Sequence, residues 1–310
     1  MTHDPPSCPT PAPKRPETVA AVVVTYNRKD LLALCLDALF AQTRPIDAIY
    51  VIDNASTDGT GQMISEHYPG RVIHERLPEN TGGAGGFHHG VKRAYGGGYD
   101  WLWVMDDDVV PESSCLELLL TSAEPDLPFV APLVKNARTG QYQLYHHKHR
   151  IDVDRCVEVN CQSVFRDSSV CPIELEANAF LGVLINTKSV RRAGLPNAFY
   201  FILYDDTDFT YRLSRCGTRG RLVPSALVYH HDGNDGTPIM QTWKAYYAVR
   251  NHIFFYGQHA GFGGHIRLAA GALRVLLHHC AGRAGLSVGR GVLDGYRHLW
   301  TTRRSETSAR

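Results

Sequence analysis

Apolar residues in this chain fall into short unbroken runs, separated by stretches with helical spacing. Val19 to Thr25 is a β-branched run closed by Tyr26-Asn27-Arg28, after which Leu31, Leu32, Cys35, Leu36 and Leu39 recur on one helical face. Ala48 to Asp53 is a second run, followed by Ser56, Thr57 and Asp58 as candidate capping residues, and Arg71 to Glu75 is a third. A helix after Gly86 leads to the run Trp101 to Met105, and Phe129 to Val134 and Ala179 to Asn186 add two more. Residues 135–175 carry weak periodicity and read as an insertion. Strands without polar alternation need cover on both faces, so the pattern predicts an α/β fold with a parallel sheet between helices. Ligands of such sheets lie beyond the carboxyl ends of the strands, where Tyr26, Asp53 and Asp106 to Asp108 fall.

Length and charge refine this division. The chain has 310 residues, 44% hydrophobic and 20% charged, enough for one large domain with an appendage. A net charge of +1 gives no case for nucleic acid, but Lys244 to Arg310 carries ten Lys and Arg against only Asp294 and Glu306. Three parts are expected: a disordered Pro-rich leader over 1–18, a catalytic domain over 19–238, and a basic helical module over 239–310. Within the module, Trp243 to Tyr256 and Ile266 to Cys280 read as helices, with Arg250 on the first and Arg267, Arg274 and His278 on one stripe of the second. That stripe suits packing on the catalytic domain or peripheral contact with a membrane surface. No apolar stretch reaches the roughly 18 residues of a spanning helix. The eight cysteines are scattered without CxxC spacing, and Cys156, Cys161 and Cys171 match no common zinc motif, so a reduced, cytoplasmic setting is expected.

The chemistry concentrates where the strands end. Asp106-Asp107-Asp108 follows the run Trp101 to Met105, and on an extended backbone Asp106 and Asp108 share a side, where they can hold one hard divalent cation. An ordinary acidic turn is the competing account. Gly82-Gly83-Ala84-Gly85-Gly86 does not continue as a dinucleotide fingerprint; its glycines suggest close backbone approach to a sugar or phosphate, or else a flexible loop opening a helix. Asp205-Asp206-Thr207-Asp208 begins a helix, and crowding should raise the pKa of one carboxylate into the range of a proton acceptor. His230, with His231 as fallback, ends an apolar run and is a competent metal ligand, whereas His146, His147 and His149 read as part of a solvated loop.

Taken in order, these segments resemble the inverting GT-A glycosyltransferases of family 2, over roughly Val19 to His231. Val23-Val24-Thr25-Tyr26-Asn27-Arg28 and Val51-Ile52-Asp53-Asn54-Ala55-Ser56-Thr57-Asp58-Gly59-Thr60 look like the family's first two strands and nucleotide loops. Asn80 to Phe87 and Trp101 to Asp108 look most like the galactofuranosyltransferase and rhamnosyltransferase branches. The resemblance implies a GT-A fold and a nucleotide-sugar donor held by Thr25, Tyr26, Arg28, Asp53, Asn54, Asn80, Gly83, Gly85, Gly86 and Asp107. It implies Mn2+ or Mg2+ on Asp106, Asp108 and His230, with Asp206 as catalytic base beside Asp205. UDP-galactofuranose is the first expected donor and dTDP-rhamnose the second, with a glycan or polyprenyl-diphosphate-linked acceptor. Arginine-rich helices would then suit attachment to the inner leaflet of the cell membrane, and an oligomer is compatible with the same surface. A metal-dependent phosphohydrolase and a non-catalytic sugar-nucleotide-binding module are the rival readings.

Overall fold

Every residue from Val19 to Thr25 is buried, as a strand without polar alternation requires. The computed structural model describes residues 17–165, 172–233, 237–278 and 282–308; of the expected leader only Glu17 and Thr18 lie among them. The chain runs β1 (Val19–Thr25), α1 (Lys29–Phe40), β2 (Ala48–Asp53), α2 (Thr60–His67), β3 (Ile73–Arg76), α3 (Gly82–Gly96), β4 (Trp101–Asp106), β5 (Val109–Pro111), α4 (Cys115–Ser122) and β6 (Phe129–Asn136). It continues through β7 (His147–Asp152), β8 (Val157–Asn160), β9 (Ile173–Leu175), β10 (Ala177–Asn178), β11 (Leu181–Asn186), α5 (Thr187–Ala193), α6 (Asp205–Arg215) and β12 (Gly220–His230). Three helices follow: α7 (Ala245–His259), α8 (Phe262–His278) and α9 (Gly282–Ser308).

The main sheet has the order β3-β2-β1-β4-β11-β6-β12-β5, with β9 also on β12. β1, β2, β3 and β4 pair in parallel, as do β6 and β12. The sheet is nonetheless mixed, because β11 runs antiparallel to both β4 and β6, and β5 and β9 antiparallel to β12. A helical crossover returns the chain to the same end of a sheet; β11 is reached from β10 without one, and so enters from the other end. One apolar cluster on each face of the sheet closes the layers.

The insertion is not a loop. β10, β7 and β8 form a second, antiparallel sheet, and His147, expected in solvent, is fully buried with Nδ1 against Asn178 Oδ1 at 2.6 Å. The module likewise holds a third helix beyond the two expected. In α9, a Cβ at Gly291 would lie 2.8 Å from Tyr246 O and one at Gly295 2.9 Å from Arg250 O, so these glycines bring α9 against the backbone of α7. Ile253, Phe254, Phe255 and Tyr256 of α7 share an apolar cluster with Ile151, Tyr200 and Tyr211. Arg250, read as one of the helix's basic residues, is buried in this contact.

Helix α3 lies on β1 and β2 through small residues. A Cβ at Gly90 would sit 2.5 Å from Val22 Cγ1 and 2.9 Å from Ile52 Cγ1. Alanine gains about 1 kcal/mol of helix propensity over glycine, whereas overpacking costs about 1–3 kcal/mol. With two core side chains inside 3.0 Å the overpacking falls at the upper end of that range, about 2–3 kcal/mol, so Gly90→Ala should be net destabilising by about 1–2 kcal/mol in urea denaturation. An unchanged or raised midpoint would mean that α3 is free to move off the sheet.

Candidate active site

The carboxyl ends of β1, β2 and β4 open on a cavity of about 590 Å³. Of the residues expected there, Thr25, Tyr26, Arg28, Asn54, Asn80, Gly83, Asp106, Asp107, Asp108, Asp205 and Asp206 line it. Two elements bring the acidic groups together: β4 ends at Asp106, and α6 starts at Asp205 with all three of its first-turn aspartates. The wall also includes Phe87, from the Asn80 to Phe87 motif, and Phe180, Phe201, Ile202, Leu203, Trp243 and Lys244, which no site motif indicated.

Like charges this close must be compensated or protonated. Arg28 supplies one compensation, its Nη1 donating to Asp108 Oδ2 at 2.7 Å and to Asp107 Oδ1 at 3.2 Å. Thr25 Oγ1 donates to Asp107 Oδ2 at 2.7 Å. Burial still pushes the Asp107 carboxyl up to about 6, because the Thr25 and Arg28 contacts offset only part of it. Asp106 is driven well above the usual carboxylate range by burial and by Asp108, Asp107 and Asp205. For Asp108, burial acts in the same direction, but His230 and Arg28 outweigh it and hold the carboxyl low.

His230 is oriented from behind. Its Nδ1 lies 2.9 Å from Gln143 Oε1, and its Nε2 faces Asp108 Oδ1 at 3.6 Å. Asp108 Oδ1 is buried and accepts no hydrogen bond. A buried carboxylate oxygen without a hydrogen bond, facing an imidazole nitrogen, is a donor set that suits a hard or borderline divalent cation. Among the described residues no three such side chains are drawn together, and Arg28 Nη1 lies 2.7 Å from the other Asp108 oxygen, Oδ2. His146, expected in a solvated loop, packs edge-on against His230 with ring centroids 5.4 Å apart, and burial lowers its pKa to about 2. His231 contributes its backbone N–H to Asp108 O at 2.8 Å.

Three expected donor contacts lie behind the wall. Asp53 is fully buried; its Oδ1 accepts from Ser56 N at 2.7 Å and its Oδ2 faces His74 Nε2 at 3.7 Å. Burial alone would raise its pKa, but His74 and Ser56 outweigh that and keep it below the usual range. Ser56 Oγ in turn accepts from Asn27 N at 2.9 Å, so Asp53 ties together the loops after β1 and β2. Gly85 and Gly86 do not reach the cavity: a Cβ at Gly86 would lie 2.5 Å from Val24 Cγ1, and one at Gly85 would lie 2.3 Å from Thr81 Oγ1. These glycines make room for protein, not for ligand. Gly82 does line the cavity and has φ +72°, with Asn80 Oδ1 accepting from its N–H at 2.8 Å.

At the start of α6, burial raises the pKa of both members of the pair, Asp205 the more strongly because Asp206 is charged beside it. Asp206 is the less buried of the two, and its Oδ1 accepts from Thr207 N at 2.5 Å.

A family model described as glycosyl transferase family 2 matches residues 20–172, which include Asp106 to Asp108 and end before Asp205. Galactofuranosyltransferase GlfT1 of Mycolicibacterium smegmatis is 32% identical over 222 residues, covering 71% of this chain and 72% of that protein. The chain belongs to glycosyl transferase family 2. Another relative, N-acetylglucosaminyl-diphospho-decaprenol L-rhamnosyltransferase of Mycobacterium tuberculosis, is 25% identical over 271 residues, covering 79% of this chain and 86% of that one. Among solved structures, GalNAc-T7 with UDP, GalNAc and Mn2+ superposes with a TM-score of 0.60 at 15% identity, over 78% of this chain and 48% of that one. Mannosyltransferase PcManGT from Pyrobaculum calidifontis, with GDP-Man and Mn2+, gives 0.56 at 18% identity, over 97% of this chain and 82% of that one. These likenesses show the GT-A fold. With the relatives, they make this family 2 protein a hexosyltransferase, which removes the phosphohydrolase and binding-module readings.

The raised pKa of Asp107 has a measurable linkage. Its carboxyl titrates near 3.8 in the unfolded chain and at about 6 in the folded one, so the folded state keeps a proton that the unfolded state releases. Stability from this group is present below the unfolded pKa and is lost as pH rises through about 6. In chelator, Asp107→Asn should therefore gain on the parent by roughly 1–3 kcal/mol between pH 4 and pH 7, read from urea denaturation at each pH. A difference that stays flat with pH would mean that Arg28 and Thr25 fully compensate the charge.

Proposed function

We propose that this family 2 enzyme transfers galactofuranose, with inversion, from UDP-galactofuranose to a hydroxyl of a glycan or polyprenyl-diphosphate-linked acceptor, and that it needs Mn2+ or Mg2+. The observation that carries the reaction type is the meeting, on one cavity, of the strand-end carboxylates of β4 with the helix-start pair Asp205-Asp206. The donor reading is supported by the 32% identity to galactofuranosyltransferase GlfT1; a dTDP-rhamnose donor is the second reading, supported by the 25% identity to the rhamnosyltransferase.

Asp106, Asp108 and His230 would hold the cation, which when bound supplies positive charge to the donor diphosphate. Thr25, Tyr26, Asn54, Asn80 and Gly83 would contact the donor, with Asp53 acting indirectly by tying together the two loops that carry Asn27 and Ser56. Arg28 and Lys244 add cationic side chains to the same wall. Asp206 is the base: burial raises its pKa towards that of a proton acceptor, and it reaches the cavity. In the displacement, the acceptor oxygen bonds to the anomeric carbon as that carbon's bond to the diphosphate oxygen breaks. The hydroxyl proton passes to Asp206 and the electron pair leaves with the diphosphate. Asp205, pushed towards the neutral form by burial and by its neighbour, leaves the negative charge of the pair on Asp206.

The acceptor side of the proposal includes peripheral attachment to a lipid surface. No helix among the described residues is long and apolar enough to cross a membrane. The helices α8 and α9 nevertheless keep apolar side chains outside: Phe262 is 84% exposed, Leu286 78% and Leu293 72%, with Ile266, Leu273 and Trp300 also exposed. Arg267, Arg274, Arg290 and Arg297 are exposed on the same helices. Apolar stripes flanked by arginine suit the headgroup region of an anionic bilayer.

Calorimetry of UDP-galactofuranose binding tests the site. Binding should require Mn2+ and weaken about tenfold or more in Asp108→Asn, while Asp206→Asn keeps affinity within about threefold and lowers transfer by roughly 10²–10⁴. Equal affinity with and without chelator would remove the metal; transfer surviving in Asp206→Asn would remove the base. For the surface, flotation with anionic vesicles should carry the protein, and Arg267→Gln with Arg274→Gln should reduce the bound fraction severalfold, since each basic residue contributes about 1 kcal/mol near such a surface. Identical flotation on neutral vesicles would take the arginines out of the argument.

A further inference from the structure

The segment joining the β11–α5 unit to the base helix is backbone that does not hold itself. Phe201, Leu203 and Tyr204 all have positive φ, at 62°, 68° and 69°. None is glycine, and Tyr204 directly precedes the Asp205-Asp206 pair. Phe201, with ψ −56°, sits at the centre of a γ-turn in which Ile202 N donates to Tyr200 O at 2.7 Å, a strained conformation for a residue with a side chain. Such geometry persists only where its surroundings over-determine it.

The over-determination comes from α7. Asn251 is fully buried, and the two hydrogens of its Nδ2 are shared among Tyr200 O at 3.0 Å, Ile202 O at 2.7 Å and Leu203 O at 2.9 Å. Arg250 Nε donates to Asn251 Oδ1 at 2.8 Å and so fixes which way that amide points. Its Nη2 donates to Phe199 O and Tyr200 O, both at 2.7 Å. The carbonyls of Phe199, Tyr200, Ile202 and Leu203 are thus gripped by two adjacent side chains. Neighbours on the same helix complete the contact: Tyr247 stacks on Phe201 with centroids 5.0 Å apart, and His252 Nδ1 meets Tyr204 OH at 2.9 Å. The gripped segment also reaches the donor side, since Ala84 N donates to Phe201 O at 3.1 Å.

We infer that Arg250 and Asn251 are positioning residues for transfer: they hold the strained 199–204 segment so that Asp206 stands at the acceptor while Phe201, Ile202 and Leu203 form the opposite wall of the cavity. This rests on Asp206 as the base. Neither residue lines the cavity, so both act only through the backbone they hold. A buried arginine whose donors go to carbonyl oxygens, and an asparagine that spends its amide on three of them, are more than a helix needs in order to pack.

The test uses the full chain with Mn2+, UDP-galactofuranose and a synthetic polyprenyl-diphosphate-linked glycan. Asn251→Ala should lower kcat about 10²-fold with the donor KM within about threefold, because misplacement of a base leaves the donor contacts intact. Amide exchange in 199–208 should rise about tenfold or more, with protection in β1 and β4 unchanged. Arg250→Lys, which keeps the charge but loses the fork of donors, should show the same split more weakly, and serves if Asn251→Ala does not fold. Leu119→Ala, in the core of α4 on the other face of the sheet, supplies a control of lowered stability, with kcat close to the parent. A kcat in Asn251→Ala within threefold of the parent, or losses that simply track melting temperature across all three variants, would overturn the inference. Transfer retained by Asp206→Asn but lost in Asn251→Ala would instead sink the base assignment and leave the clamp standing.

Discussion

Uncompensated negative charge is the constraint on which this site turns. Asp106, Asp107, Asp108, Asp205 and Asp206 line a single cavity, and no hydrophobic core would tolerate such a group without an answer to its repulsion. The protein answers in several ways at once. Arg28 bridges two of the carboxylates, Thr25 donates to one of them, and burial drives Asp106 and Asp205 towards the neutral form. Asp108 is held low in pKa yet partly unsatisfied, with His230 turned towards it by Gln143. A site in this condition is poised to take up positive charge.

The sheet explains why the carboxylates meet. β4 pairs in parallel with β1 and antiparallel with β11, so the edge where Asp106 emerges is also where the chain direction reverses. Phe180, just before β11, accepts a hydrogen bond from Asp106 N at 3.1 Å and lines the cavity beside it. The insertion then contributes more than bulk, because Gln143 and His146 approach His230 from its far side.

What the sequence made legible was chemistry that depends on local order: apolar runs, acidic strand ends, and an acidic helix start. Asp106 to Asp108 and Asp205-Asp206 could be read because each sits at the end or beginning of an element whose type is written in its own neighbours. Asp53, Gly85 and Gly86 were read on the same basis, yet their side-chain space is taken by Ser56, Thr81 and Val24, partners that no local pattern announces. Gln143 lies in a segment with no periodicity, and its role exists only once β12 lies alongside. No helix was expected over α9, and the residues that require its glycines, Tyr246 and Arg250, are about 45 positions away. Arg250-Asn251 did carry a signal, a charged and an amide side chain inside an aromatic helix, but its meaning depended on the carbonyls of another segment.

The grip of α7 on the 199–204 backbone changes what counts as a module in this chain. By composition, residues from about 239 onward look like an attachable tail, and a chain cut short before them would retain every carboxylate of the site. It would also release the carbonyls of Tyr200, Ile202 and Leu203, in a segment with three positive-φ residues directly before Asp205-Asp206. Exchanging tails between family members is therefore an exchange of active-site geometry. A chimera should carry its 199–204 segment together with the helices that hold it, as one inherited piece.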